Sequence, residues 1–398
     1  MDISVHGGQF GGGGNVINAG KTVMAQYVES IKKGDLVGTY VKGNEIPMGI
    51  ALDIIPIFSY SGDGKIFVTL HSTTGIISIY RVEGGVYTLV DNTDTPFSGR
   101  SDIAVNFDGS VFSIVGDVYG SAVFRLVDGV YKRMPLDVAP AGSSWGVAMD
   151  ELGNFVFIAH GGAPYLSIYT WVGSSYVKVP NRPDIPTGIC ISIAYKEPFL
   201  YVFMNSGQVY AYSVDVGGML TRMPGMSMLP SGAKYAAKVS TNGKYLAALT
   251  RDGTQTYPLI IDLSEGAITG TRIHSAAADS TSRGIDFISE SSVAFANSSG
   301  AIQVLEANTA NPLALVAFNP RVGIPNRGSW IATIRNKGIT AFGLSIKTYD
   351  MGKAAESVSG EISSLRFYLT SKSPTGVGFA EQGGTIGQTK KIKEIWGA

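Results

Sequence analysis

The residues best equipped for acid–base or metal chemistry are four histidines, His6, His71, His160 and His274, and they are scattered without partners at metal-ligand spacing. A zinc site needs ligands grouped a few residues apart, and a serine triad needs a base within reach of its nucleophile, so neither is assembled by motif. Ser30 and Lys33 have the Ser-x-x-Lys spacing of a penicillin-binding nucleophile and its base, but the companion motifs of that chemistry are absent. The run GGQFGGGG at Gly7–Gly14 has the glycine content of a phosphate-cradling loop. Without a preceding apolar strand or a following Lys-Ser or Lys-Thr, it reads as a flexible arm.

Asp91, Asp94, Asp102, Asp117 and Asp137 can offer oxygen ligands to a structural calcium ion from loops, although no glycine-pivoted loop of alternating acids holds them. Trp145, Trp171, Trp330 and the tyrosines can stack on a sugar, and they can equally fill the space between sheets, which is the preferred reading. Lys390, Lys391 and Lys393 alternate with Ile392 and Ile395 as a solvated strand face does. Cys190 is the single cysteine, which excludes an internal disulfide framework, suits a reducing cytosol and reads as a buried free thiol. No catalytic, cofactor-binding or metal-binding residue is therefore assigned, and no cofactor is expected.

Charge narrows the partners. The chain has 31 basic and 31 acidic residues among 398, with only 16% charged, so nothing marks nucleic acid or an anionic membrane as a partner. The longest apolar run, Gly49–Phe58, is interrupted by Asp53 and Pro56 and falls short of the ~20 residues of a membrane span. The start, MDISVHGGQF, lacks the basic-then-apolar order of a secretion signal.

What positions these residues is a repeat. Each unit has an alternating strand, a tight turn, a second strand, a gap, a third strand, a second turn and a short fourth strand. The first turns fall at Asp63-Gly64, Asp108-Gly109, Leu152-Gly153, Glu197-Pro198, Asn242-Gly243, Glu290-Ser291 and Lys337-Gly338, with steps of 45, 44, 45, 45, 48 and 47 residues. A period of about 40 to 50 residues is that of a four-stranded propeller blade. Before each turn apolar residues alternate, as at Phe58 and Tyr60, Ile103 and Val105, Val147 and Met149, Ile191 and Ile193, Ala237 and Val239, Ile285 and Phe287, and Ala332 and Ile334. Period two puts one face of each strand in a core.

The outer half of the unit repeats more closely still. IYRVEGGVYTLV (Ile79–Val90), VFRLVDGVYKRM (Val123–Met134) and IYTWVGSSYVKV (Ile168–Val179) share one pattern. Their turns, Gly84-Gly85, Asp128-Gly129 and Gly173-Ser174, supply the positive φ of a two-residue hairpin, and Tyr87, Tyr131 and Tyr176 follow at the same place. The spacing predicts an all-β chain: a seven-bladed β-propeller over residues 52–355. A ring of blades hides the strand edges that would otherwise pair with other chains.

The ends read as strands of a second, small β domain, formed by residues 23–51 and 356–398, with residues 1–22 as a polar, glycine-rich arm. The segments IKKGDLV and PTGVGFAEQGGTIGQTKKIKEI resemble the small β domains that recur in structural proteins of tailed bacteriophages. The residues that carry the resemblance are Lys33, Gly34, Asp35, Leu36 and Val37 at one end, with Gly376, Val377, Gly378, Gly387 and Ile392 at the other. The blades resemble WD40-like propellers by pattern, although the Trp-Asp signature occurs in none of them.

The resemblance implies a non-enzymatic virion structural protein, assembled in the host cytoplasm. The propeller would serve as a tail adaptor or receptor-facing module presented by the terminal domain. Its expected partners are other virion proteins and further copies of itself, with a host surface glycan as a receptor, and neither nucleic acid nor membrane insertion is expected. A capsid decoration protein, and a bacterial propeller that binds glycans or hydrolyses a lactone, are the alternatives left open.

Overall fold

The computed structural model describes residues 19–27, 36–41, 56–71, 75–83, 86–94, 101–116, 120–180, 185–225, 227–228, 234–252, 255–273, 284–287, 290, 292–296, 302–307, 314–318, 331–334, 338–342, 346–349, 367–370, 378–380 and 389–395. Every regular element among them is a strand. In chain order, β1 (Ala19–Tyr27) and β2 (Leu36–Val41) precede a series of antiparallel sheets. The first sheet is β3 (Pro56–Tyr60), β4 (Ile66–His71), β5 (Ile76–Glu83) and β6 (Val86–Asp94). The second is β7 (Ser101–Val105), β8 (Val111–Gly116), β9 (Gly120–Val127) and β10 (Val130–Met134), and the third is β11 (Ser144–Met149), β12 (Phe155–His160), β13 (Leu166–Trp171) and β14 (Tyr176–Lys178).

The fourth holds β15 (Cys190–Lys196), β16 (Phe199–Met204), β17 (Gln208–Val214) and β18 (Leu220–Arg222), with β19 (Ser227–Met228) also on β17. The fifth holds β20 (Lys234–Val239), β21 (Tyr245–Asp252), β22 (Gln255–Ser264) and β23 (Ala267–Ile273). The sixth holds β24 (Ile285–Phe287), β25 (Ser292–Ala296), β26 (Ile302–Glu306) and β27 (Ala314–Phe318). The last of the series has β28 (Ile331–Ile334), β29 (Gly338–Phe342) and β30 (Ile346–Tyr349) among its described residues. The final strands, β31 (Phe367–Thr370), β32 (Gly378–Ala380) and β33 (Thr389–Ile395), join β1 and β2 in a closed barrel of order β1-β31-β2-β32-β33.

The first turns explain why each sheet folds back where it does. Ser61, Asn106, Asp150 and Ser240 each accept a backbone N–H from the residue five positions on, at 2.9, 2.9, 2.7 and 3.0 Å respectively. Their carbonyls accept the N–H of Gly64, Gly109, Gly153 and Gly243, which hold φ of 72°, 76°, 68° and 68°. A short polar side chain therefore caps the turn, and glycine takes the left-handed backbone that an L side chain resists. The fourth sheet departs from this form. There Lys196 pairs directly with Phe199, so Glu197-Pro198 alone makes the turn, which is two residues shorter. That shift brings Ile193 and Tyr195, rather than Ile191 and Ile193, into register with Phe58 and Tyr60.

Hydrophobic cores lie between consecutive sheets, as period-two alternation requires. Phe112 and Tyr131 of the second sheet pack with Val68 and Ile79 of the first. Phe157 of the third packs with Leu200 and Val202 of the fourth, and Phe203 of the fourth with Leu246 and Ile261 of the fifth. Each such side chain stabilises the fold by about 1.5 to 3 kcal/mol through removal from water. The innermost strands follow one another, β3 beside β7, then β11, β15, β20, β24 and β28, and β28 lies beside β3.

The barrel joins the two ends of the chain through backbone pairing. Val23 pairs with Ile392 and Gln26 with Thr389 on antiparallel strands, while Gln26 also pairs with Tyr368 in parallel. Leu36 pairs with Phe379 and Ala380 with Ile392. Lys33, Gly34, Asp35, Gly376, Val377 and Gly387, expected to mark this region, lie outside the described residues, as do residues 1–18 of the arm expected over 1–22; residues 19–22 of that arm instead begin β1, where Ala19 pairs with Ile395 and Thr22 with Lys393.

Candidate binding face at the channel mouth

A cavity of about 190 Å³ opens where the innermost strands run into their first turns. Its walls at one register are Ser59, Ala104, Ala148 and Ala194, and on the next two sheets the same register carries Lys238 and Asp286. Small residues open the axial space, and two opposite charges enter it from neighbouring strands. Lys238 is half-buried and makes no ion pair among the described residues. Asp286 accepts the N–H of Phe287 at 2.8 Å.

The rim is built by turns that bond to one another. Gly62 N–H donates to the Asn106 carbonyl at 3.2 Å, Asp63 N–H to the Phe107 carbonyl at 2.8 Å, and Phe107 N–H to the Glu151 carbonyl at 3.0 Å. Lys196 meets Glu151 at 3.3 Å, and Asn242 donates to Glu290 at 3.3 Å. The first turns of these sheets therefore all emerge on one face. Close approach makes their glycines necessary: a Cβ on Gly62 would lie 2.5 Å from the Phe107 ring, and one on Gly109 2.4 Å from Ile66.

Burial sets the electrostatics of the mouth. It pushes the Asp150 carboxyl above its ordinary range, against the hydrogen bond from Phe155 N–H, and the Glu197 charge adds to the rise. Burial likewise raises Asp102, although Lys238 and the backbone N–H groups of Val147 and Ile103 pull it down. Asp63 and Asp108 go the other way. Burial works to raise both, but hydrogen bonds together outweigh it, from Lys65 and Ser61 to Asp63 and from Ser110 and Asn106 to Asp108. The cavity walls hold carboxylates, ammonium groups, Tyr60 and Tyr195, and neither histidine nor cysteine. Such a site is suited to binding by charge and shape.

The residues singled out by sequence are dispersed. His160 Nε2 lies 2.9 Å from Ser167 Oγ, a partner that the sequence reading did not find. Both residues are fully buried, however, and burial lowers the histidine pKa, so the pair belongs to the core of the third sheet. The side chain of His71 lies outside the described residues, as do His6, His274, Trp330, Ser30, Lys33 and Asp117. Trp171 packs on Tyr176 at 5.1 Å beneath the Arg125 guanidinium at 4.5 Å, and Trp145 lies against Gly161, where a Cβ would come within 2.9 Å of its ring. Trp171 is half-buried against the core between the second and third sheets, and Trp145 is half-buried.

Asp137 is exposed and accepts the N–H groups of Val138 at 2.7 Å and Lys178 at 2.8 Å, while half-buried Asp91 stands on β6 with Asp94, whose side chain lies outside the described residues. Among the described residues no group of His, Cys, Asp or Glu is arranged to hold a metal ion. Cys190 is a free buried thiol whose pKa burial pushes up to about 12. Lys390, Lys391 and Lys393 lie on β33 of the barrel. Asp102 was singled out in the sequence as an oxygen ligand; the turn acids Asp63, Asp108, Asp150, Glu151 and Glu197 were not, because they are spread over four turns and nothing along the chain brings them together.

Among solved structures the chain is similar to the β-propeller domain of Cps50 (Swd1) from Myceliophteria thermophila, with a TM-score of 0.56 at 12% identity, over 78% of this chain and 99% of that one. The chain folds as a β-propeller. It is also similar to a protein from Lactobacillus plantarum, with a TM-score of 0.52 at 12% identity, over 72% of this chain and 98% of that one. No protein-family profile matches the chain, and no curated protein matches it. At such identity the likeness concerns the fold of the propeller alone, since one fold hosts many functions. No helix among the described residues is long and apolar enough to cross a membrane.

Proposed function

We propose that the chain is a non-enzymatic structural and binding protein, in which a seven-bladed propeller at residues 52–355 is held by a small domain formed from residues 23–51 and 356–398. The observation that carries this reading is the pairing of Val23 with Ile392 in the closed barrel, which ties both connections of the propeller to one support. A disc anchored at both ends is presented in a fixed orientation, as an assembly part requires. The neighbour relation of β28 with β3 supports closure after seven units.

The setting we propose is the virion of a tailed bacteriophage, with the chain as a tail adaptor or receptor-facing module and residues 1–18 as an assembly arm, residues 19–22 belonging to β1 of the barrel. The resemblance of the terminal segments to phage structural domains supports it. Immunogold electron microscopy of particles from the source culture, with antibody against the recombinant propeller, tests the setting. Label at the tail is the expected result, and label over the head moves the protein to capsid decoration. Soluble antigen without labelled particles sinks both virion roles and leaves a glycan- or substrate-binding propeller, which a thermal-shift screen with glycans and metal ions would then identify.

A further inference from the structure

Among the described residues, the turns at the two faces of the propeller differ in charge. In an antiparallel meander the turn between the first and second strands and the turn between the third and fourth emerge at the same end, so both kinds lie on the mouth face. The described residues of those turns include nine acids, from Asp63 in the first sheet to Glu290 in the sixth, against two lysines, Lys65 and Lys244; with the strand residues that line the cavity, Asp286 against Lys196 and Lys238, ten acids face four lysines, a balance of −6. The whole chain balances 31 against 31. The described turns of the opposite face hold one charged residue, Asp137.

The same acidic face exposes apolar side chains. Phe107, Leu152, Val172 and Val216, all in its turns, are 44, 69, 54 and 100% exposed. Phe107 also lines the cavity and Leu152 follows Glu151 of its wall, so these two apolar tips adjoin the charged opening, while Val172 and Val216 stand in the outer turns of the same face. Scattered single exposures are ordinary, but exposed apolar groups gathered with one sign of charge around a concavity mark a contact surface.

We propose that the mouth face docks a protein segment presenting lysine or arginine beside apolar side chains. Charge complementarity selects this occupant. The carboxylates attract ammonium and guanidinium groups, and they repel nucleic acid and anionic membrane. Phe107, Leu152 and Val216 supply apolar contact that charge alone does not, and the stems of lysine and arginine pack on such surfaces while their heads reach the carboxylates. The opening, of about 190 Å³, admits one side chain of the segment beside Asp286 and Glu197. The inference rests on the assembly reading for its biological setting and names the docking face and the chemistry of the partner.

The test uses the full chain and a fluorescent twelve-residue peptide, four repeats of Lys-Leu-Gly, followed by anisotropy, with four repeats of Glu-Leu-Gly as the counterpart. Saturable binding of the lysine peptide is expected, weakened as salt rises from about 0.05 to about 0.5 M. Phe107→Ser with Leu152→Ser and Val216→Ser is expected to weaken it by about tenfold or more, while Val138→Ser with Ile189→Ser on the opposite face leaves it unchanged. Glu197→Lys with Glu265→Lys, at two exposed positions, is expected to weaken it as well, and guards against a folding defect in the first variant.

Equal binding of the glutamate peptide, no saturable binding, or indifference to both mouth-face variants overturns the proposal. Self-association in sedimentation velocity that the mouth-face variants abolish would assign the face to a second copy and overturn it too. Tail-labelled particles together with a failed peptide test would remove the docking chemistry and leave the assembly reading standing.

Discussion

The hydroxyl of Tyr176 donates to the Gly153 carbonyl at 2.6 Å, fastening the outermost strand β14 of the third sheet to the first turn of the same sheet. Tyr131 does the same in the second sheet, donating to the Gly109 carbonyl at 2.6 Å. The first sheet varies the theme, its Tyr87 hydroxyl lying 2.7 Å from that of Tyr60. The repeated tyrosine thus ties the outermost strand to the innermost strand or its turn. Arg125 donates to the Gly153 carbonyl at 2.9 Å and to the Tyr176 hydroxyl at 3.3 Å, so Arg125 and Gly153 stay paired when that hydroxyl is removed, whereas Tyr131 is the side-chain donor found on Gly109. Tyr131→Phe should therefore cost about 1 kcal/mol and Tyr176→Phe less. Thermal denaturation of the two variants checks the order, and a larger loss for Tyr176→Phe would refute it.

Glycines in equivalent turns differ in what surrounds them. Gly109 at φ 76° faces Ile66 at 2.4 Å from an added Cβ, whereas Gly243 at φ 68° has nothing within 4 Å. Alanine at either position meets about 1 to 2 kcal/mol of backbone strain. Gly109→Ala adds crowding between sheets, about 1 to 3 kcal/mol more. Chemical denaturation should rank Gly109→Ala well below Gly243→Ala, and equal losses would mean that the sheets part easily at this contact.

The raised Asp150 pKa makes stability depend on acidity in a stated direction. A carboxyl whose folded value exceeds its ordinary 3.8 contributes full stability below 3.8, and that contribution is lost as pH rises through the folded value. Asp150→Asn keeps an oxygen to accept the Phe155 N–H and loses the buried charge. The variant should melt above the native protein at pH 7, with the gap closing toward pH 3.5. A gap that persists unchanged across that range would rule out the charge as its source.

Cys190 should resist thiol reagents in the folded protein. Its side chain is fully buried, and a pKa pushed up to about 12 leaves almost no thiolate at pH 8. Reaction with a chromogenic disulfide reagent should be negligible without denaturant and stoichiometric with it. Rapid labelling of the native chain would mean that the fourth sheet opens readily.

Much of the fold was legible because it is local. The turn glycines and the alternation through Phe58 and Tyr60 act within one hairpin, the tyrosine that follows the first three outer turns acts within one unit, and the described sheets carry them. The fourth turn was read in the right place, but the apolar pair named before it, Ile191 and Ile193, stands two residues out of register with Phe58 and Tyr60. Glu197-Pro198 follows Lys196 directly, and counting from the turn alone does not reveal the two missing residues that pairing does.

The candidate site was not legible, for a physical reason. Ala148, Lys238 and Asp286 share one register only because their strands stand side by side around an axis, and they are separated in the chain by 90 and 48 residues. His160 likewise gained Ser167 only when β12 folded back on β13. Periodicity and turn chemistry by themselves determined the strands, the length of the unit and the sharing of apolar faces, since these depend on backbone geometry and neighbours a few residues apart. Tertiary structure alone decided which charges meet at the mouth, which acid is raised and which lowered, and that one face is acidic, because burial and Coulomb interaction depend on distance in space.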